Sequence, residues 1–189
     1  MRVTKAQAQE NRARIVETAS ELFRERGYDG VGVADLMAAA GFTHGGFYKH
    51  FGAKTDLMAE ASACGIAQTL ALAGTADVPA LITHYLSRDH RDARATGCTL
   101  AALSADAARQ PETVRATFAA GIEELLAALG REDAGEQDAA EQRETRAAKL
   151  DLLAHLLGAL VLSRACPDDS PLADEILEAS RSALLASRA

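Results

Sequence analysis

The sequence predicts an all-α protein of about nine helices arranged in two parts. Three observations carry this expectation. Apolar residues recur at three- and four-residue spacing along most of the chain, the period of a helix with one buried face. The composition is rich in Ala, the strongest helix former. No segment has the period-two alternation of a convincing strand, and no internal repeat is present. With 189 residues, 48% hydrophobic and 25% charged, the chain fits one large or two small globular domains and lacks the composition of a disordered one.

Each element follows in order. From Glu10 to Arg26, Ile15, Ala19, Leu22 and Phe23 form one apolar face between charged residues. Gly27 then ends the helix as its C′ residue. A second short helix covers Val33–Ala40, with Asp35 in its first turn at the positive end of the dipole, and stops at Gly41. Thr43 is placed as the N-cap of a third helix, HGGFYKHF (44–51). Three short helices punctuated by glycines 27 and 41 have the appearance of a helix-turn-helix unit. Thr55 is expected to cap a fourth helix running through Leu57, Met58, Ala61 and Cys64 to about Ala73.

Asp77–Asp89 reads as one helix with Pro79 tolerated in its first turn. Thr96–Arg109 and Pro111–Leu129 follow. The polar run Arg131–Glu144 reads as a mobile loop grading into a helix. The next helix carries Leu150, Leu153, Leu157, Leu160 and Val161 as a stripe, widened by Leu152 and Leu156. Pro167–Pro171 breaks it. A final helix carries Leu172, Ile176, Leu177, Leu184 and Leu185.

The net charge of −7 is unevenly shared. Residues 1–55 hold eight basic and six acidic side chains, a net of +2; residues 56–189 hold 12 and 21, a net of −9. This excludes a uniformly basic nucleic-acid coat but leaves room for a local patch. Screening acts over about 8 Å at physiological salt, so a docked polyanion feels mainly the part it touches. The expected division is therefore a helix-turn-helix domain at 1–55 and a larger helical domain at 56–189. No apolar run approaches the ~18 residues that a membrane span requires, and the first residues lack the apolar stretch of a signal peptide. Cys64, Cys98 and Cys166 have the spacing of neither a disulfide framework nor a zinc site. A cytoplasmic protein with no membrane partner, metal or cofactor is expected.

The segment Tyr28–Ala61, YDGVGVADLMAAAGFTHGGFYKHFGAKTDLMAEA, resembles the DNA-binding domain of the TetR family of bacterial transcriptional repressors. The matching pattern is an aromatic after Gly27, Asp35-Leu36, Ala40-Gly41 and the Phe47–Phe51 block, with Lys54 and Leu57 behind it. The resemblance implies double-stranded operator DNA as a partner. Tyr48, His50 and Lys54 would hydrogen-bond phosphates, while Thr43, His44 and Gly46 stand at the leading edge of the recognition helix. Phosphate contacts fix position and base-edge contacts supply sequence choice. The residues support this independently. HGGFYKHF is too short to be stable as an isolated helix, and Gly45 and Gly46 each cost about 1 kcal/mol relative to Ala. Missing side chains there would let the helix N-terminus and its N–H groups come close to a phosphate. Phe47 and Phe51 should face the core, leaving Tyr48, Lys49 and His50 outward. The chain departs from the family at Val31-Gly32, where many members have Thr-Ser, and at Ala34, where a basic residue is common. Phosphate binding is accordingly expected to lean on Arg12, Arg14, Lys49 and Lys54.

In the resembled family the remainder binds a small molecule and dimerises through its last two helices. The two Leu-rich stripes, wider than a surface helix requires, fit a homodimer interface of that kind. A pocket for an unknown inducer would draw on Leu70, Leu81, Tyr85, Leu103, Phe118 and Ile122, with Cys98 and His155. His84 and Arg88 also lie in these stretches and could orient a ligand. Cys98, in ATGCTLAALSAD, falls at or near a helix N-terminus with Arg94 four residues upstream, a setting that lowers a thiol pKa. Some family members that sense electrophiles or oxidants carry Gly-Cys in a similar segment, so Cys98 is a candidate redox sensor as well as a candidate small core residue.

The implied function is a dimeric one-component regulator, a repressor on a near-palindromic operator released by a small-molecule or electrophile inducer. An enzyme is disfavoured. His44, His50, His84, His90 and His155 include no i, i+4 pair, and there is no HExxH, no glycine-rich phosphate loop and no nucleophile elbow. The alternative is a helical adaptor that binds a protein partner instead of DNA, motivated by the missing Thr-Ser.

Overall fold

The computed structural model describes residues 4–73, 77–129 and 138–187. Among the described residues, helices are the only regular structure: α1 (Lys5–Arg26), α2 (Val33–Ala39), a 3₁₀ helix (His44–Lys49), α3 (Lys54–Ala73), α4 (Val78–Tyr85), α5 (Arg88–Asp92), α6 (Thr99–Ala107), α7 (Glu112–Ala128), α8 (Ala139–Ala165) and α9 (Pro171–Ala186). The all-α expectation holds. The chain divides into two compact units, Met1–Gln68 with Cys98–Gly121, and Thr69–Gly97 with Ile122–Ala189.

The first unit forms around α1. That helix starts earlier than its apolar period suggests, because Thr4 caps it: its Oγ1 accepts from the Gln7 N–H at 3.2 Å. Ile15, Ala19 and Phe23 are fully buried along one face. Gly27 then adopts φ 72°, and its N–H bonds the Phe23 carbonyl at 2.8 Å. Only glycine takes that backbone region without strain. Tyr28 turns straight back into the core, with its ring 5.2 Å from Phe23 and its hydroxyl donating to Ser62 Oγ at 2.6 Å. Helix α2 is capped by the Gly32 backbone and ends in a Schellman turn. There Gly41, at φ 80°, bonds the Ala38 carbonyl and Phe42 bonds the Met37 carbonyl.

Helix α6 belongs to the same unit and packs on α1. Two polar contacts fasten it. Near its N-terminus, the buried Arg24 guanidinium donates to Thr99 Oγ1 at 3.3 Å, to Ser20 Oγ at 3.0 Å and to Gln68 Oε1 at 3.2 Å. Near its C-terminus, Asp106 Oδ2 accepts from the Tyr28 N–H at 3.3 Å. Gly65 lies so close to the first contact that a Cβ there would meet Arg24 Nη1 at 2.2 Å and Thr99 Oγ1 at 2.3 Å.

In the second unit the expected helix Asp77–Asp89 is two helices. Leu86 leaves helical geometry, and Ser87 Oγ caps a new start by accepting from the His90 N–H at 3.2 Å. The division serves Arg91, whose side chain is wholly buried. Its guanidinium donates to Ser163 Oγ and O, to the Cys166 carbonyl, to Asp92 and to Asp168, tying α5 to the end of α8. Ser163 Oγ in turn donates to the Ala173 carbonyl at 2.8 Å, so one network holds α5, α8 and α9. Part of the polar run Arg131–Glu144 lies outside the described residues. Its later part is already helix, because Asp138 and Glu141 form a capping box that starts α8 at Ala139.

Candidate nucleic-acid interface

The candidate interface is built on the short segment after Gly41. Thr43 stands at the N-cap position with extended dihedrals, but its hydroxyl makes no cap bond, so the segment is held by other means. Phe47 and Phe51 are buried at 1% and 3% exposure with ring centroids 5.4 Å apart, and they anchor it to the core. The expected α-helix 44–51 is instead a 3₁₀ helix of residues His44–Lys49. The physical reason lies in length and anchoring. The Gly46 and His50 N–H groups bond the carbonyls three residues before them, at 2.9 Å each, and a run this short gains little from the cooperative α ladder.

Anchoring the two phenylalanines turns the intervening residues outward. Tyr48 is 69% exposed, His44 packs edge-on against it at 6.4 Å, and Thr43, Gly45 and Lys49 are exposed. Gly46 and His50 are half-buried. Neither Gly45 nor Gly46 has positive φ. A Cβ at Gly45 would meet nothing within 4 Å, and one at Gly46 would meet Met37 Cε at 3.5 Å. The fold itself therefore does not require glycine at 45.

Helix α3 begins at Lys54 and not after a Thr55 cap; Asp56 Oδ2 accepts from the Ala53 N–H at 3.0 Å and closes its first turn. Lys54 Nζ donates to the Tyr28 carbonyl at 2.6 Å and lies 5.9 Å from the Phe23 ring. An ammonium has three donors, of which this bond uses one. Val31 is buried and Gly32 caps α2 by backbone alone, so the chain replaces Thr-Ser with a core residue and a bare N-terminus. Arg12 and Arg14, both on α1, have opposite settings. Arg12 pairs with Glu60 of α3 and lies over the Phe51 ring, whereas the exposed Arg14 lies over Phe42.

The pocket candidates are distributed over both units. Leu103, Phe118 and Cys98 are buried in the first. In the second, Tyr85 is buried and Leu70, Leu81, Ile122 and His155 are half-buried. A groove of 260 Å³ in the second unit is formed by other residues, among them Glu123, Thr145, Arg146 and Lys149; Arg146 and Glu123 pair across it at 2.6 Å. Cys98 is the N-cap residue of α6 and is 3% exposed. Arg94, which sequence proximity offered as its cation, lies 4.0 Å from Asp168. The arginine beside Cys98 is Arg24, bonded to the adjacent Thr99 and itself held below its ordinary pKa by burial. Nothing local in the sequence pairs residues 24 and 98.

The sequence profile of bacterial regulatory proteins of the tetR family matches residues 15–61, the span from the core of α1 to the middle of α3. In this segment the chain is similar to the TetR family. The HTH-type transcriptional regulator TtgR of Pseudomonas putida is 43% identical over 58 residues, which is 31% of this chain and 28% of that protein. The match to this curated relative thus spans under a third of its length. Likeness in fold extends much further. A TetR transcriptional regulator from Chloroflexus aurantiacus superposes with a TM-score of 0.71 at 23% identity, covering 95% of this chain and 94% of that one. AibR, solved in complex with isovaleryl coenzyme A and operator DNA, superposes with a TM-score of 0.56 at 18% identity over 90% and 96%. Likeness to the fold of TetR regulators accordingly spans nearly the whole chain, whereas the family profile matches only residues 15–61. Among the described residues, no helix is long and apolar enough to cross a membrane.

Proposed function

We propose that this chain is a dimeric, one-component transcriptional repressor that grips a near-palindromic operator in the major groove and is released by a small-molecule or electrophile inducer. The observation that carries the reading is the outward turn of Thr43, His44, Gly45, Tyr48 and Lys49 above a buried Phe47–Phe51 anchor. Thr43, His44 and Gly46 would meet base edges. Tyr48, Lys49, His50 and Lys54 would hold phosphates, which set register without reading sequence.

Homodimerisation through α8 and α9 is supported by what the monomer leaves uncovered. Leu152, Leu156 and Leu160 are buried, whereas Leu150, Val161, Leu162 and Leu172 are exposed, Leu162 to 61%. Isolated exposed apolar residues are ordinary; four on consecutive helices resemble an interface. A two-fold pair would set its recognition segments one helical turn apart, about 34–36 Å, or at a multiple of it. An inducer acts only through its different affinity for the bound and released forms. Cys98, at a helix N-terminus beside a buried arginine, is the side chain proposed to react with an electrophile.

Selection of genomic fragments on the purified protein, followed by footprinting, tests the reading. Two protected half-sites related by a dyad are expected. If no fragment is enriched, a protein-binding role replaces the DNA-binding one.

A further inference from the structure

Arg12 and Arg14 are two residues apart on α1, hence about 200° apart around its axis. They meet different neighbours. Arg12 donates to both carboxylate oxygens of Glu60 and lies 4.6 Å over the Phe51 ring, so its charge is matched within the fold. The pairing raises its pKa, chiefly through the hydrogen bond to Glu60. Arg14 is exposed, with its guanidinium 4.5 Å from the centroid of Phe42.

Phe42 is itself fixed. Its N–H closes the Schellman turn on the Met37 carbonyl at 2.8 Å, and the next residue is Thr43, the N-cap of the recognition segment. A stacked guanidinium spends its flat face on the ring and keeps its N–H edge for a planar acceptor in the same plane. Stacking also removes part of the rotamer freedom a long side chain otherwise loses on binding. The acceptor that suits such an edge beside an exposed helix start is a phosphate group.

We propose that Phe42 is a platform that presents Arg14 to the DNA backbone beside Thr43, and that Arg12 is a latch on α3 that takes no part in binding. Phe42 is thus a positioning residue, acting through Arg14. This rests on the DNA-binding reading above.

The test measures anisotropy of a labelled mixed-sequence duplex of about 30 base pairs, roughly three helical turns, across a salt series, with thermal unfolding as a control. Arg14→Ala should reduce the slope of log affinity against log salt by about 0.9 for each protomer on the duplex. Phe42→Leu should keep the slope and weaken binding about 2–5-fold, the value of an exposed cation–aromatic contact, and Phe42→Tyr should restore it. Arg12→Ala should keep the slope while lowering the unfolding temperature. An unchanged slope in Arg14→Ala, or Phe42→Tyr binding no better than Phe42→Leu, overturns the platform; a reduced slope in Arg12→Ala overturns the latch. Failure of the wild-type protein to bind in a salt-dependent manner overturns the DNA-binding reading and this one with it.

Discussion

Replacing Gly45 with Ala separates what the fold wants from what the proposed ligand wants. The position has ordinary φ, and a Cβ there meets no atom within 4 Å. The substitution therefore removes unfolded-state freedom without strain in the folded state, worth about 0.4–1 kcal/mol of added stability. For a chain of this size that raises the unfolding temperature by roughly 1–4 °C. Against DNA the sign reverses. If the recognition segment seats its backbone at the groove floor, the methyl group lies where a base edge or phosphate belongs. A misfit of that kind resembles a mismatched base pair, about 1–3 kcal/mol, or roughly 5–150-fold in affinity. Differential scanning fluorimetry and a gel-shift titration on a selected fragment read the two effects separately. A more stable protein with undiminished affinity would refute the reasoning, because it would mean that nothing approaches Gly45.

Other expectations follow from the packing. Arg91→Ala should cost about 3 kcal/mol in urea unfolding: Asp92 and Asp168 remain solvated, but the Ser163 and Cys166 carbonyls lose their donor and a cavity opens. A cost below about 1 kcal/mol would show the network to be incidental. Gly65→Ala should destabilise by about 1–3 kcal/mol through overpacking against Arg24 and Thr99, whereas a neutral result would mean that α6 can shift away from α1 without loss. Burial pushes the Tyr28 hydroxyl up to about 12, so the folded state holds that proton more tightly than the unfolded state. Its contribution, about 2–3 kcal/mol, is complete below the unfolded value near 10 and is lost as pH rises from there toward 12. Tyr28→Phe should flatten that decline; parallel stability curves for the two proteins would exclude the assignment. Cys98→Ser should abolish release from DNA by aldehydes, quinones or hypochlorite, and undiminished release would end the sensor hypothesis.

Much of the head was legible because its signals are local. Gly27 and Gly41 mark turns that need positive φ, and the four-residue spacing of Phe47 and Phe51 foretold which side of the segment is buried. The 3₁₀ form was not legible, since the same composition suits either helix and the choice depends on two anchored rings. The break at Leu86–Ser87 carried a visible signal, a Ser that can cap, but Pro79 and the apolar run around it concealed the restart. The contacts between Arg24 and Thr99, between Asp106 and Tyr28, and between Arg14 and Phe42 join residues far apart in sequence, which periodicity does not register. On α8 the pattern was right but undivided: the stripe splits into a buried set at 152, 156 and 160 and an outward set that includes Leu150 and Val161.

The first compact unit is discontinuous along the chain, and this has a bearing on its biosynthesis. Residues 1–68 contain every side chain proposed to touch the duplex, yet part of the cover on the apolar face of α1 arrives only with α6, whose Leu100, Leu103 and Ala107 are buried. A nascent polypeptide that has emerged only as far as Gln68 exposes that apolar face to solvent, and the reading head closes after roughly fifty more residues have left the ribosome, several seconds later at ordinary elongation rates of about 5–20 residues per second. A genetic fusion that borrows the head alone would inherit the same uncovered surface permanently.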